Sequence, residues 1–256
     1  MKKTTLITGA SSGIGLELAR IFAQEGSDLF LVARNETKLL QLKSELESKH
    51  NISVHVFPKD LSQPSAPEEL YHLTKEYHLQ VNTLVNNAGF GTYGFFKDTK
   101  LQEELNMIQV NISSLTALTK LFLPQMITQK SGKILNVAST AAFQPGPLMA
   151  VYFTTKAYVL SFSEALANEL KGTGITVTTL CPGPTETEFQ KRSQMNSGSL
   201  FTGNIPTAKS VAEVGYSGLM KGKTVVIPGW KNTTLTFLNR FVPRTVATAI
   251  VRRLQE

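Results

Sequence analysis

Thr4-Thr5-Leu6-Ile7-Thr8-Gly9-Ala10-Ser11-Ser12-Gly13-Ile14-Gly15 is a short β-branched run that breaks on glycine and resumes at once with helical spacing. A strand that turns through glycines into a helix brings free backbone N–H groups and a helix N-terminus to one point. That point favours an anion such as a pyrophosphate. The glycines stand at Gly9, Gly13 and Gly15, a spacing that differs from G-x-G-x-x-G. A tight turn that binds nothing is the competing reading, and the residues downstream decide between them.

Outward from this turn, strand-like runs alternate with amphipathic segments. The expected strands are Thr4–Thr8, Asp28–Ala33, Ser53–Phe57, Thr83–Asn86, Lys133–Ala138, Thr176–Leu180 and Thr224–Ile227. Helical periodicity covers Ile14–Gln24, Glu36–Ser48, Ala66–Tyr77, Gln102–Ile127 (as two helices) and Tyr152–Leu170. Such alternation with right-handed crossovers predicts an α/β fold: a Rossmann-type, doubly wound, seven-stranded parallel sheet with helices on both faces. Residues 1–256 read as a single dinucleotide-binding domain, with 189–206 as a mobile substrate loop and 231–256 as a basic C-terminal helical extension.

With 41% apolar and 18% charged residues among 256, the chain is neither disordered nor fibrous. The net charge of +7 is uneven, because from Val214 to Glu256 seven bases face the single acid Glu256. The rest is close to neutral, which argues against a nucleic-acid partner. Cys181 has no second cysteine to pair with, no run reaches a transmembrane length, and no signal-peptide pattern opens the chain. A soluble cytoplasmic protein is expected. His50, His55, His72 and His78 have no ligand spacing, so no metal is expected.

NAD sites usually place an acid at the end of the second strand to bond the ribose 2′-hydroxyl, whereas an arginine there suits a 2′-phosphate. Here the strand ends Val32-Ala33-Arg34-Asn35, so Arg34 favours NADP(H). Lys38, one turn on, reads either as a helix-surface charge or as a second phosphate contact.

Tyr152 and Lys156 stand one helical turn apart, where an ammonium can lower the phenol's pKa toward neutrality and make Tyr152 a general acid/base. Tyr71 and Lys75 have the same spacing but no chemistry near them, and read as structural. Only the former pair follows a strand that delivers a serine, Ser139, to its C-terminal end, where ligands sit in such sheets. Ser139 is placed to stabilise negative charge on a substrate oxygen.

Taken in order, the turn Thr8–Gly15, Asp60-Leu61, Asn86-Asn87-Ala88-Gly89, Asn111, Ser139 with Tyr152 and Lys156, and Cys181-Pro182-Gly183 followed by Thr187 resemble the short-chain dehydrogenase/reductase family over most of the chain. The resemblance implies a catalytic set of Asn111, Ser139, Tyr152 and Lys156, with hydride moving between nicotinamide C4 and a carbonyl carbon. It implies that Asp60 and Leu61 meet the adenine, and that Asn87, Ala88 and Gly89 line the adenosine ribose and brace the sheet. Asn111 would hold a water that links Lys156 to solvent. Lys156 would also bond the nicotinamide ribose beside Tyr152. Pro182, Gly183, Thr185 and Thr187 would frame the carboxamide, and Gly9, Ser11, Ser12, Gly13, Ile14 and Gly15 the phosphates. Many NADP-preferring relatives carry a further base in the glycine loop where this chain has Ser12, which leaves Arg34 as the main discriminator. Homodimers or homotetramers are common in the family.

An apolar substrate pocket is expected from Phe90, Tyr93, Phe95, Phe96, Phe143, Leu148, Met149, Phe189, Met195 and Phe201. In the tail, Val246, Ile250 and Leu254 fall on one helical face. That face reads as packed on the body or on another subunit, with peripheral contact to anionic lipid as the alternative. The leading expectation is an NADP(H)-dependent carbonyl reductase or alcohol dehydrogenase. A non-catalytic NADP-binding sensor and a membrane-surface module on the same fold are the alternatives.

Overall fold

The computed structural model describes residues 3–189 and 205–255. Seven strands form one parallel sheet: β1 (Thr4–Thr8), β2 (Asp28–Ala33), β3 (Val54–Pro58), β4 (Val81–Asn86), β5 (Gly132–Val137), β6 (Ile175–Leu180) and β7 (Val225–Val226), in spatial order β3-β2-β1-β4-β5-β6-β7. Strand order reverses between β1 and β4, where both connections leave in opposite directions and open a crevice at the C-terminal edge. The expected doubly wound sheet is therefore present, with β4 starting two residues earlier than its β-branched run suggests.

Side chains alternate across this sheet. Ile7, Leu29, Leu31, Val85 and Leu135 point to one layer, where α1 (Gly13–Gln24) and α2 (Glu36–Lys49) supply Leu18, Phe22, Leu39 and Leu42. Leu6, Phe30, Val32, Leu84 and Ile134 point to the other, against α3 (Ala66–Glu76) and the long helical run that follows β4. Burial on both faces explains why the strands read as continuous apolar runs. Across β4 and β5 a buried polar ladder interrupts them: Asn86 Nδ2 donates to Asn136 Oδ1 at 2.9 Å, and Asn136 Nδ2 to Ser163 Oγ at 2.9 Å. Such a ladder fixes which residue of β4 faces which of β5, since a slipped register would orphan both amides.

The run Gln102–Ile127 resolves into α4 (Leu101–Ile108), a π-helical turn over Gln109–Ser114, and α5 (Leu115–Gln129). The two expected helices are thus present, joined without a break through the π turn. The π turn carries the buried Asn111, and such turns often occur at functional sites. Among the described residues the further α-helices are α6 (Ala150–Glu169), α7 (Ala208–Met220), α8 (Trp230–Leu238) and α9 (Arg244–Gln255). The segment 190–204, which holds most of the expected substrate loop with Met195 and Phe201, lies outside the described residues.

Candidate active site

A cavity of about 710 Å³ occupies the crevice at the strand C-termini. Its first wall is the glycine turn. Gly9 and Gly13 have φ of 68° and 57°, which only glycine adopts without strain. Ser12 precedes α1 in extended conformation and makes no side-chain cap, so the first N–H groups of the helix stay open toward the cavity. Asn87 fastens the turn to β4, since its Nδ2 donates to Thr8 O at 3.0 Å and Gly9 O at 3.2 Å. Thr8 answers by accepting the backbone N–H groups of Asn87 and Ala88 on its hydroxyl, each at 3.0 Å.

Gly15 does not line the cavity. A Cβ at Gly15 would stand 2.4 Å from both Gly9 O and Asn87 Nδ2, so its role is to let α1 close against the turn. Gly15→Ala is therefore expected to cost about 1–3 kcal/mol, the usual overpacking range, and to weaken dinucleotide binding because the turn must shift. Urea unfolding checks it, and an unchanged midpoint would refute the close fit.

Ser11, Ser12, Ile14, Arg34, Asp60, Leu61, Asn87, Ala88, Gly89, Ser139, Tyr152, Lys156, Pro182, Gly183, Thr185 and Thr187 line the cavity together with Gly9 and Gly13. Asp60 caps its own turn through Ser62 N at 3.0 Å. Arg34 is exposed at the end of β2 and has no ion pair among the described residues. Lys38 is differently placed: its Nζ pairs with Glu188 at 2.8 Å across the mouth of the turn. The open cradle, the unpaired arginine and the absence of a carboxylate at the end of β2 fit an anionic dinucleotide.

At the other end α6 presents Tyr152 and Lys156 inward, both buried. Lys156 Nζ donates to Val137 O at 2.9 Å, and a Cβ at Gly89 would come within 3.3 Å of it. Gly89 thus clears the space in which the ammonium sits. Asn111 also stays off the cavity wall. Its amide bridges Phe90 O and Thr155 Oγ1, each at 3.0 Å, and its Oδ1 accepts Phe90 N at 3.2 Å. It therefore joins the π turn, the loop after β4 and α6 directly behind Lys156. Ser139 starts a short 3-10 turn by accepting Ala141 N, and its hydroxyl reaches Pro182 O at 3.3 Å.

Electrostatics depart from the expected lowering of the phenol. Burial pushes Tyr152 up to about 12, and a hydrogen bond from Ser139 offsets this only in part. Lys156 Nζ lies 5.8 Å from the tyrosine ring centroid and donates to Val137 O. Burial also pulls Lys156 down to about 8. At neutral pH the pocket accordingly holds a protonated phenol and a costly buried ammonium. Cys181 is buried beneath them and its thiol is raised to about 12 by burial, as suits a packing residue.

Among the expected pocket residues, Phe90, Met149 and Phe189 line the cavity. Phe95 and Phe96 are exposed, Phe143 packs beside Leu115 and Ala138, and Tyr93 donates its hydroxyl to Gln255 O at 2.6 Å. Tyr93, Leu148 and these phenylalanines do not form the wall. Phe153, Val110, Val251 and Leu254 do, and only Leu254 had a visible signal, as part of the tail's apolar stripe. Tyr71 packs on Phe122 at 5.4 Å in the α3–α5 layer, with Lys75 above its ring, and neither lines the cavity.

Residues 3–197 match the family model of the short chain dehydrogenases. Sulfoacetaldehyde reductase 2 of Chromohalobacter salexigens is 36% identical over 221 residues, which are 84% of this chain and 87% of that one. A short-chain dehydrogenase of Sphingobium yanoikuyae, solved in complex with NADPH, superposes with a TM-score of 0.84 at 30% identity, over 93% of this chain and 94% of that one. A family member from Burkholderia phymatum in complex with NAD shares the fold with a TM-score of 0.84 at 22% identity, over 100% and 97% of the two chains. Fold and cavity together define a nicotinamide-dependent oxidoreductase. The chain belongs to the short-chain dehydrogenase/reductase family.

Proposed function

We propose that the protein is an NADP(H)-dependent reductase of apolar carbonyl compounds, running in reverse as a secondary-alcohol dehydrogenase. One observation carries this reading: a single cavity is lined by Arg34, by Ser139, Tyr152 and Lys156, and by the apolar Phe90, Met149, Phe153 and Phe189, of which Phe153 and Phe189 pack on Tyr152. A nicotinamide held in this cavity would supply the hydride for reduction and take it up in the reverse direction. Tyr152, protonated at rest, gives its proton to the carbonyl oxygen as negative charge develops there. Ser139 donates a hydrogen bond to the same oxygen. Lys156 then stabilises the phenolate left behind, and its ammonium, already partly titratable, is the next proton source in line. Asn111 positions Lys156 by locking the wall behind it. The apolar end accepts a hydrophobic substituent and keeps water from the reacting carbon.

The NADPH complex of the Sphingobium relative supports the cofactor choice. Titration with NADPH and NADH tests it, followed by fluorescence and by thermal stabilisation. NADPH is expected to bind at least about tenfold more tightly, a gap of about 1.4 kcal/mol. Arg34→Gln is expected to remove that gap by weakening NADPH alone. Equal affinities in the unaltered protein would make Arg34 a surface charge, and binding of neither would overturn the enzymatic reading.

A further inference from the structure

Between Val214 and Gln255 the chain carries seven bases and no acid. Within that stretch α8 has two unlike sides. Thr236 is buried, and Asn232 packs against Gly183 beside the cavity. Trp230 and Phe237 stand on the opposite side, and Phe241 follows in the 3-10 turn Asn239–Phe241 after the helix; the three are 76%, 56% and 73% exposed. Leu235 and Leu238 flank them and are exposed as well. The Phe237 and Phe241 rings meet edge to face at 5.5 Å, and Lys231 Nζ sits 5.9 Å from the Trp230 ring. In α9 the stripe Val246, Ile250 and Leu254 is open to solvent. The helix packs on the body by the adjacent line of Ala247, Val251 and Gln255 instead. Val246, Ile250 and the exposed rings therefore form a face that the described residues leave uncovered, and aromatic patches of this kind usually meet a partner.

We propose that α8 and α9 dock the protein on an anionic lipid surface. Aromatic rings and aliphatic side chains seat at the level of the headgroups, while Lys231, Arg240 and Arg244 meet the lipid phosphates. Charge selects this occupant over a second copy of the chain. Two copies facing each other through this segment would set its seven bases against their own duplicates, with Glu256 the one acid of the tail to pair them. An anionic bilayer supplies negative charge across a plane and an apolar layer beneath it. Leu254 belongs both to the open stripe and to the cavity lining, so the lipid-facing surface and the apolar end of the cavity are continuous. Binding, not turnover, is read out below, so the docking surface stands or falls separately from the proposed reaction.

Trp230 is the only tryptophan, which makes its emission a direct reporter of the surface. The full chain is mixed with vesicles of phosphatidylcholine containing phosphatidylglycerol, and with vesicles of phosphatidylcholine alone. Emission is expected to move to shorter wavelength, and the protein to float, with the anionic vesicles only. Partitioning is expected to fall about tenfold or more between about 0.1 and about 0.5 M salt, as surface attraction is screened. A Phe237→Ser/Phe241→Ser double variant should lose flotation yet keep its melting transition, because both rings are exposed. An Arg240→Gln/Arg244→Gln variant should weaken anionic binding with the rings intact. Unchanged emission with vesicles would overturn the proposal, as would equal binding to neutral vesicles. So would an emission shift that follows protein concentration without lipid and disappears in the double variant, since that assigns the face to a second copy.

Discussion

Tyr152→Phe is expected to lower turnover by about a thousandfold, within the usual range for removal of a positioned general acid, while NADPH affinity stays within about twofold. The ring keeps its packing on Phe153 and Phe189, so the fold and the cavity survive and only the proton is lost. Steady-state kinetics on any accepted ketone, paired with cofactor titration, checks both halves. Residual turnover comparable to that of the unaltered protein would remove Tyr152 from the chemistry. Loss of cofactor binding alongside activity would instead give the phenol a binding role.

Lys156→Met is expected to do two opposite things: suppress turnover and stabilise the protein without cofactor. A lysine whose pKa is about 10.5 in the unfolded chain and about 8 in the fold binds protons more readily when unfolded, so its charge opposes folding. That penalty is complete below about pH 8 and fades as pH rises toward about 10.5. It amounts to about 3 kcal/mol, offset by about 1 kcal/mol for the hydrogen bond to Val137 O, which methionine cannot make. The variant should thus be about 2 kcal/mol more stable at pH 7, and this advantage should shrink and then vanish between about pH 8 and about pH 10. Denaturant midpoints across that window check the sign. A variant that is less stable at pH 7, or whose advantage ignores pH, would show that the ammonium is well compensated in the fold. An advantage of the expected form would make Lys156 a residue retained for chemistry at the expense of stability.

Much of the architecture was legible because the signals were local. The inner strands are short apolar or β-branched runs, and Thr8–Gly15 contains its whole instruction within one connection. Burial on both faces then follows from the runs themselves. The cavity's outer wall was less legible. Phe95 and Phe96 looked like pocket aromatics because they lie close in sequence to Gly89, yet the loop turns them to solvent. Val251 reaches the cavity from α9 only because that helix packs back across the sheet's C-terminal edge, a long-range contact that no local pattern encodes. On the body itself the tail packs by Ala247, Val251 and Gln255, a less apolar line than the regular stripe Val246, Ile250 and Leu254 beside it. The pKa of Tyr152 was equally out of reach, because spacing places an ammonium one turn away but says nothing of where its protons point.

The tether of Tyr93 to Gln255 and the seating of Val251 and Leu254 have a bearing on how such a protein diversifies. These wall residues lie beyond residue 197, where the family match ends, and none belongs to the sheet. Substitutions in α9 can therefore reshape what the cavity accepts while the hydride-transfer centre is inherited intact. In that division of labour α6 and the turn after β5 hold the reacting groups, and a helix outside the family match contributes part of the wall around them.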